Sequence, residues 1–395
     1  MSMRIYAYYK DSYLTKLTTR VNDIKHIDND SMWIKLDDTV FYPGGGGQAS
    51  DKGTLNHLPV DEVKREGDDI WHRLSSTDSI KTGAQVNVSI DWPHRYYNMQ
   101  QHSGQHLLSS VLNRFGYPTV SVHLGDIITL IEIENGVPED QKLAQIESEA
   151  NALIRAAKPI QMHITSPSEA GHFPLRRAPV EVDELRIVQM EDADCVACGG
   201  THVRNTSEIG YIKIAGTEKI RGRVRVQCYI GKMADEYFSG LHQSSEALKK
   251  LLNTDYDDFP ERVKQLLADK RTYKREKNKL EQTILEWKAR DLVTQLEPDA
   301  PVVHHIPGEH VAEQAFYMAR FILNELQKTT LITANERFYL GVPPLTQKDA
   351  REFMNEHGQR FGMKGGGSPD FVQGKAKNLP LEQIEQALHT WLERS

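Results

Sequence analysis

The period with which apolar and polar residues alternate changes along the chain, and this period is shortest in the N-terminal part. Short runs that alternate apolar and polar residues, such as 31–36 and 86–90, are separated by turn residues, as in half-buried strands. The segment Pro43-Gly-Gly-Gly-Gly-Gln48 predicts a sharp turn or a place where a ligand approaches the backbone. We therefore expect a small β-barrel over residues 1–90, with a sandwich as the alternative.

Helical periods mixed with strand-like runs predict an α+β domain over residues 91–235. One helix is expected over residues 97–115, and a second helix is expected to end near Pro159. Strands are expected where β-branched residues cluster, over residues 119–134, 184–190, 209–214 and 223–230.

Residues 236–297 carry a heptad pattern, which predicts two helices with an apolar seam. The short link over residues 253–258 favours an antiparallel hairpin. Lys270 and Lys277 interrupt the seam where the first helix would have ended, so the far end of a long second helix is expected to be exposed or to pack elsewhere. The seam positions are Phe238, Leu241, Ser245, Leu248, Leu252, Phe259, Val263, Leu266, Lys270, Tyr273, Lys277, Leu280, Ile284 and Trp287.

After a linker at 298–301, strand and helix patterns alternate, which predicts a small α/β domain over residues 298–395. This domain contains the glycine run Gly365, Gly366 and Gly367. Consecutive glycines either turn the chain or form a loop whose N–H groups hold a phosphate. The expected fold is thus a multidomain α+β protein with parts at 1–90, 91–235, 236–297 and 298–395.

Composition narrows the functional classes. No run of about 18 apolar residues occurs, so no membrane span is expected, and the N-terminal segment lacks the apolar core of a signal peptide. The chain has 3 cysteines, too few for a disulfide framework, which favours a reducing, cytoplasmic location.

The net charge of -7 argues against a nonspecific nucleic-acid coat but leaves room for a local basic track. Such a track runs through residues 211–232, and residues 259–281 are also rich in Lys and Arg. Either segment alone is typical of a solvated charged face, whereas the two together favour a polyanionic partner. The candidate phosphate contacts are Lys213, Lys219, Arg221, Arg223 and Arg225.

Two short motifs predict a metal site. His102-Ser-Gly-Gln-His106 places two imidazoles one turn apart on a helix, and Cys198-Gly-Gly-Thr-His202 adds a thiolate and a third imidazole. Nitrogen and sulfur donors in this number suit tetrahedral Zn2+, one ion per chain. Metalloprotease helices carry Glu directly after the first His, and here that residue is Ser103, so a protease of this type is excluded.

Four motifs together resemble the long form of the free-standing alanyl-tRNA editing proteins, the AlaX family. They are HSGQHLLS, CGGTHV, FYPGGGGQASDKG and KGGGSPDFVQG. They are also similar to the editing and C-terminal domains of alanyl-tRNA synthetase, and the resemblance covers nearly the whole chain.

The resemblance implies a hydrolase that removes the wrong amino acid from tRNA(Ala), chiefly serine and secondarily glycine. It implies that His102, His106, Cys198 and His202 hold zinc and that Gln48 lines the amino-acid pocket. It also implies that Gly365 to Gly367 belong to a domain for tRNA binding and self-association. Together with the heptad seam, this favours a homodimer.

Two positions depart from the family pattern. Gly44 stands where the family often has an acidic residue or Thr, which bears on the preference for serine over glycine. Cys195 forms a CxxC with Cys198, so five donors compete for four positions; the register of the CGGTH motif favours Cys198.

A shell of four protein ligands is more typical of structural than of catalytic zinc. An alternative function is therefore a tRNA-binding protein that holds a structural zinc and does not catalyse a reaction. For the enzyme, Gln48 and Thr201 are the candidates for recognising the serine hydroxyl. His123 and Asp194 are candidates for the pocket or for orienting a ligating imidazole. Aminoacylation is disfavoured because no ATP-binding catalytic domain is evident.

Overall fold

The computed structural model describes residues 5–27, 30–75, 80–177, 184–220, 222–309 and 311–394. Arg221, one of the candidate phosphate contacts, lies outside these residues. The chain divides into two compact units, residues 1–248 and 249–395. The three cysteines are free thiols, as expected from their number. Among the described residues, no helix has both the length and the apolar character that crossing a membrane requires.

The first unit begins with a short helix and a seven-stranded sheet in the order β4-β3-β7-β1-β2-β6-β5. The edge strands β4 and β5 are separated only by Asp61, whose N–H donates to the Arg73 carbonyl at 2.9 Å. The sheet is therefore a nearly closed barrel, as predicted. Its elements are α1 (Ala7–Lys10), β1 (Lys16–His26), β2 (Met32–Leu36), β3 (Gly53–Leu55), β4 (Leu58–Val60), β5 (Glu62–Glu66), β6 (Asp69–Leu74) and β7 (Gln85–Ile90).

Strand alternation fills the barrel. In β2, Met32, Ile34 and Leu36 are buried while the residues between them are half-buried. This period of two places every second side chain in the core. The predicted strands at 31–36 and 86–90 correspond to β2 and β7.

The rest of the first unit mixes helices with two antiparallel sheets in an α+β arrangement. A four-stranded antiparallel sheet has the order β13-β14-β9-β8, and a three-stranded sheet has the order β10-β11-β12. The barrel and this α+β part lie in the same compact unit. The elements are α2 (Trp92–Arg114), β8 (Thr119–Leu124), β9 (Thr129–Ile133), α3 (Asp140–Arg155), β10 (Ile160–Thr165), β11 (Leu185–Met190), β12 (Asp194–Ala197), β13 (Ile212–Ile220), β14 (Arg223–Ile230) and α4 (Lys232–Leu252).

Helix α2 is the central element of this part. The Asp91 carboxylate caps its N-terminus by accepting the His94 N–H at 3.1 Å, and Pro93 stands at the second helical position, where its missing N–H costs nothing. Further along, Arg95 is fully buried; its Nε donates to Asp51 at 2.8 Å, and its other nitrogens donate to the Ser12 and Val40 carbonyls. This buried ion pair fixes α2 to the barrel.

The second unit begins at Lys249, near the end of α4, and contains the long helix α5 and an α/β domain. Its sheet has the order β15-β16-β17-β19-β18, in which only the β15–β16 pair is parallel. The elements are α5 (Phe259–Thr294), β15 (Val302–His305), α6 (Ala312–Glu325), β16 (Thr330–Ala334), β17 (Arg337–Gly341), α7 (Ala350–His357), β18 (Lys364–Ser368), β19 (Phe371–Lys375) and α8 (Leu381–Glu393).

The glycine run differs from the expectation. Gly365, Gly366 and Gly367 form neither a turn nor a loop but the middle of the exposed edge strand β18. A Cβ on Gly365 would clash with the Gln373 carbonyl, and one on Gly367 would clash with the Phe371 carbonyl. Gly365 and Gly367 are thus explained by close backbone approach between β18 and β19, whereas a Cβ on Gly366 would meet no atom within 4 Å.

Candidate metal centre and adjoining cavity

Helix α2 supplies the first half of the candidate metal centre. His102 and His106 are one turn apart, their ring centroids are separated by 5.0 Å, and the rings are nearly parallel. Both side chains are buried. The spacing of four residues predicted this common face.

The loop after β12 supplies the second half, Cys198 and His202. A Cβ on Gly200 would clash with the His102 ring, and a Cβ on Gly199 would lie 2.9 Å from the Tyr9 hydroxyl. The two glycines thus allow the loop to approach α2 closely. Space for the neighbouring side chains of His102 and Tyr9 is therefore the reason for glycine at both positions.

The four donor atoms of His102, His106, Cys198 and His202 lie within 4.8 Å of one another. The Cys198 Sγ is 3.3 Å from His102 Nε2 and 3.4 Å from His202 Nε2. Donors of one tetrahedral zinc shell are ~3.3–3.6 Å apart when the metal–ligand distances are ~2.0–2.3 Å. The residues therefore fit a metal ion of this kind.

The Nδ1 atom of each histidine faces a protein partner. His102 Nδ1 donates to Gln48 Oε1 at 2.6 Å, and His202 Nδ1 lies 3.1 Å from Ser103 Oγ. His106 Nδ1 lies 3.5 Å from an Asp194 carboxylate oxygen. These partners leave the three Nε2 atoms for a metal, which is the usual arrangement of ligating imidazoles.

The charges of the group also suit a metal. Burial opposes ionisation of Cys198, but the three imidazoles outweigh it and hold the pKa of the thiol well below its usual range. Burial likewise disfavours a charged His106, but Cys198 and Asp194 raise its pKa to about 9. His106 Nε2 is buried and has no hydrogen-bond partner among the described residues. A cation between these donors would satisfy Nε2.

Cys195 is not part of the group. It packs beside Ala170, Leu185 and Ile187, and burial raises the pKa of its thiol to about 11. Cys198, by contrast, belongs to the group of four residues, and its role as the sulfur donor stays a prediction.

Two arginines hold the surroundings of the centre in place. Arg176 makes two hydrogen bonds to Asp194, at 2.7 and 3.1 Å, and so fixes the carboxylate that faces His106. Arg186 is buried and donates to the carbonyls of Cys198 and Gly200, at 2.9 and 2.6 Å. Both arginines were missed in the sequence, since nothing local links them to the metal motifs.

Gln48 and Thr201 lie next to the candidate metal ligands. Both are buried; Gln48 Nε2 donates to Thr201 Oγ1 at 2.7 Å, and Gln48 Oε1 accepts the Thr201 N–H at 3.0 Å. Because Gln48 Oε1 also accepts from His102, its amide is occupied by protein contacts. The placement favours a positioning role rather than direct contact with a substrate.

A cavity of about 470 Å³ opens beside the metal group. Its walls include His102, His106 and Cys198 together with Gly46 of the glycine turn. They also include residues absent from the sequence prediction, namely Ser109, Thr119, Arg176 and Arg177. Ser109 follows His106 on the same face of α2, so helical spacing could have identified it. His123, by contrast, is exposed on β8 and is not part of this wall.

Gly44 has a φ of 81°, and a Cβ there would lie 3.2 Å from the Ser50 nitrogen. This backbone conformation disfavours the acidic residue or Thr that the resemblance suggested for the position. The conformation of this turn therefore suits the glycine that stands at position 44.

The predicted basic strands present fewer free charges than their sequence suggests. Lys213 pairs with Glu147 at 3.0 Å, and Arg223 and Arg225 pair with Glu132 at 3.7 and 2.9 Å. Lys219 is exposed and forms no ion pair with any residue that the structure describes. The prediction did not anticipate these partners, which come from α3 and β9.

Comparison with known proteins decides the family. The alanyl-tRNA editing protein Aarsd1 of Danio rerio is 31% identical over 90% of this chain and 87% of its own length. The chain belongs to the alanyl-tRNA editing protein family. Alanyl-tRNA editing protein AlaX-L of Pyrococcus horikoshii is 29% identical, and the match covers 96% of this chain and 96% of that protein.

Two domain families also match parts of this editing-protein family member. The family described as "Threonyl and Alanyl tRNA synthetase second additional domain" matches residues 185–226, which include Cys198 and His202. The family described as "tRNA synthetases class II (A)" matches residues 5–94. An alanine–tRNA ligase of Methanococcus maripaludis is 26% identical over 90% of this chain but over 41% of its own length.

Proposed function

We propose that this chain is a zinc-dependent aminoacyl-tRNA hydrolase that edits tRNA(Ala) in trans, chiefly removing serine and also glycine. The observation that carries the proposal is the buried group of three imidazoles and one thiolate, which borders a cavity in a member of the alanyl-tRNA editing family. The cavity has room for an aminoacyl group next to the metal ligands.

The reaction is ester hydrolysis. The oxygen of a water molecule forms a bond to the carbonyl carbon, the bond from that carbon to the ribose oxygen breaks, and the ribose oxygen takes a proton. The products are a free amino acid and tRNA. When bound, zinc supplies a positive charge that polarises a carbonyl or positions the end of the substrate.

The residues of this chain hold the reacting groups in place. Gln48 and Thr201 fix the ring of His102, Asp194 and Arg176 fix that of His106, and the Arg186 bonds fix the Cys198 loop. Preorganised ligands of this kind lower the cost of binding the ion and of orienting the substrate.

The polyanionic substrate needs cationic contacts outside the ester site. Arg177 lines the cavity, and burial together with the charge of Arg176 lowers its pKa, so a phosphate of the tRNA 3′ end would relieve this repulsion. Lys219 is the free cation of the described part of the basic strands. We assign initial tRNA contact to these two residues ahead of Lys213, Arg223 and Arg225.

We also propose a homodimer through α5. Its apolar side chains at Tyr273, Leu280 and Trp287 are 68%, 65% and 76% exposed, and they continue the heptad seam. A second copy of the same helix presents the matching heptads. Light scattering is expected to give twice the 45.0 kDa chain mass, and Leu280→Lys to give the single mass. A monomer in the unsubstituted protein would remove this proposal.

The function is tested by incubating the protein with tRNA(Ala) charged with serine, glycine or alanine. Release of serine well above the rate in buffer, with alanine retained, is the expected result. His102→Ala is expected to abolish release, whereas His123→Ala, an exposed histidine outside the site, keeps it.

The non-catalytic alternative gives a different result. The protein would bind tRNA and contain about one zinc per chain, yet the seryl ester would survive as long as in buffer. Elemental analysis of protein purified without added metal measures the zinc content independently of the hydrolysis assay.

A further inference from the structure

Two hydroxyl groups in the cavity have no hydrogen-bond partner among the described residues. They belong to Ser109 and Thr119, which are only 2% and 6% exposed. Both line the cavity that also contains His102, His106 and Cys198. A buried hydroxyl without a partner is costly, and native proteins rarely leave one in place without a function.

Neighbouring hydroxyls in this part of the fold are satisfied. Ser110, next along α2, donates to the Ala193 carbonyl at 2.5 Å. Ser103 contacts His202, and Thr129 donates to Gln101 at 2.6 Å. Unpaired hydroxyls are therefore not a general property of α2 and its sheet, and these two coincide with the cavity wall.

Their positions relate them to the metal centre. Ser109 follows His106 by three residues, so it lies on the same face of α2, less than one turn further on. Thr119 begins β8, where the pairing with β9 shifts register between residues 119 and 121. Apolar wall residues, Val120, Val122 and Val196, border the same space. The compartment thus suits a small side chain with a single polar group.

We propose that Ser109 and Thr119 bind the side-chain hydroxyl of the serine esterified to tRNA(Ala). This inference rests on the proposed hydrolase function and names its specificity-determining residues. The serine hydroxyl has one donor and two acceptor sites, so it can donate to one of these oxygens and accept from the other. Alanine has no such group and gains neither hydrogen bond, so the seryl ester is hydrolysed in preference to that of correctly charged Ala-tRNA(Ala).

Glycine tests the idea because it is smaller than alanine and also lacks the hydroxyl. It enters the same compartment but gains nothing from Ser109 or Thr119. Hydrolysis of the glycyl ester is therefore independent of these side chains, whereas that of the seryl ester depends on them.

The experiment measures kcat/KM for Ser-tRNA(Ala) and Gly-tRNA(Ala) with Ser109→Ala, Thr119→Val and the double variant. Each single variant is expected to lower the value for the seryl ester by ~10- to 100-fold, the effect of one lost hydrogen bond to a buried group, and to change the glycyl value by less than about 3-fold. Thr119→Ser, which keeps the hydroxyl, is expected to retain most of the seryl activity.

Ser12→Ala is the matched control. Ser12 is also a buried serine whose hydroxyl has no partner among the described residues, but it is not part of the cavity wall. It is expected to leave both activities unchanged. Zinc content and circular dichroism of every variant show whether the fold is kept.

The outcomes separate the two proposals. If the unsubstituted protein hydrolyses neither ester, the hydrolase function fails. If it hydrolyses both and the variants lose them equally, or lose neither, the hydrolase function stands and the assignment of Ser109 and Thr119 is overturned. Should Thr119→Val fail to fold, Ser109→Ala and Thr119→Ser still give the comparison.

Discussion

Gly200 is the position in the metal group with the least space for a side chain. A Cβ there would clash with the His102 ring and would lie 2.8 Å from Gln48 Oε1. The His102 ring and Gln48 Oε1 are joined by a hydrogen bond that points His102 Nε2 toward the other candidate metal ligands. The site therefore depends on a missing side chain as much as on its ligands.

We predict that Gly200→Ala displaces His102 and removes metal binding. Zinc content is expected to fall from about one per chain to a small fraction, since three of four ligands hold the ion much more weakly. Gly240→Ala is the matched control, because no atom lies within 4 Å of a Cβ built there. Gly240 is in α4, where alanine favours the helix, so stability is expected to rise slightly. Full zinc content in Gly200→Ala would contradict the steric argument.

The sequence predicted the candidate metal ligands and singled out Gln48 and Asp194, but it did not show which imidazole each of the two would contact. The spacing of His102 and His106 is a local property of a helix, and it is visible in one turn. Gln48 is 54 residues from His102, and Asp194 is 88 residues from His106, so their contacts depend on how the barrel and β12 pack against α2. Tertiary packing of this kind leaves no period in the sequence.

At the scale of elements, the Arg95–Asp51 pair positions helix α2, which carries His102 and His106, against the barrel. Both side chains are fully buried. Arg95 also donates to two barrel-side carbonyls, while Asp51 accepts the Tyr42 N–H at 2.6 Å. The charges of Arg95 and Asp51 therefore neutralise each other, and the loss of either residue leaves the other as an unpaired buried charge.

We predict that Arg95→Met lowers the free energy of unfolding by ~3–5 kcal/mol, the usual cost of an unpaired buried charge. Asp51→Leu is expected to have a similar effect. The double variant is expected to lose less than the sum of the two, since no isolated charge remains. Urea denaturation of the four proteins measures this coupling, and strictly additive losses would show that the two groups act independently.

His72 in β6 makes the barrel sensitive to acid. Its ring is fully buried, Nδ1 donates to the Ile34 carbonyl at 3.1 Å, and Nε2 accepts from Thr39 at 2.9 Å. Burial lowers the pKa of His72 to about 4. The unfolded chain has an ordinary His pKa of ~6.5, so it takes up a proton at a higher pH than the folded state does.

We therefore predict that His72 contributes full stability above pH ~6.5 and that this contribution falls as the pH drops toward 4. The loss is at most roughly 3 kcal/mol, with no further change below the folded pKa. Urea denaturation of the protein and of His72→Gln at pH 7.5 and 4.5 measures the contribution of His72 to the free energy of unfolding. An identical pH dependence in both proteins would show that His72 does not cause it.

Element prediction succeeded where periodicity was strong and failed where composition was the guide. The heptads predicted α5 as a long helix, and the alternating run at 31–36 predicted β2. At Gly365 to Gly367 the composition suggested a turn or loop, because glycine is common in both. The structure forms β18 there, since absent side chains also let two strands approach closely.

At the scale of the whole molecule, the net charge of -7 does not show which positive side chains are free to bind a polyanion. Glu132 and Glu147 neutralise three of the cations that the sequence placed on the basic strands. Those pairs must be broken before the cations can bind a phosphate, whereas Lys219 needs no such step. Charge counted along a strand therefore overstates the available charge when acidic residues on neighbouring elements are not known.

We predict that Lys219→Gln weakens tRNA(Ala) binding more than Arg225→Gln does, although each removes one positive charge. Lys219 is expected to release counterions from one phosphate, so its loss lowers the slope of log Kd against log salt by ~0.7–0.9. Arg225 is already paired with Glu132, and after its removal Arg223 can still pair with that carboxylate. The slope is therefore expected to stay nearly constant. Filter binding of uncharged tRNA(Ala) between 50 and 200 mM salt, roughly the range in which phosphate contacts dominate, measures both slopes. If Arg225→Gln produced the larger change, the ion pairs with Glu132 would have to open on tRNA binding, and the basic strands would act together as the sequence first suggested.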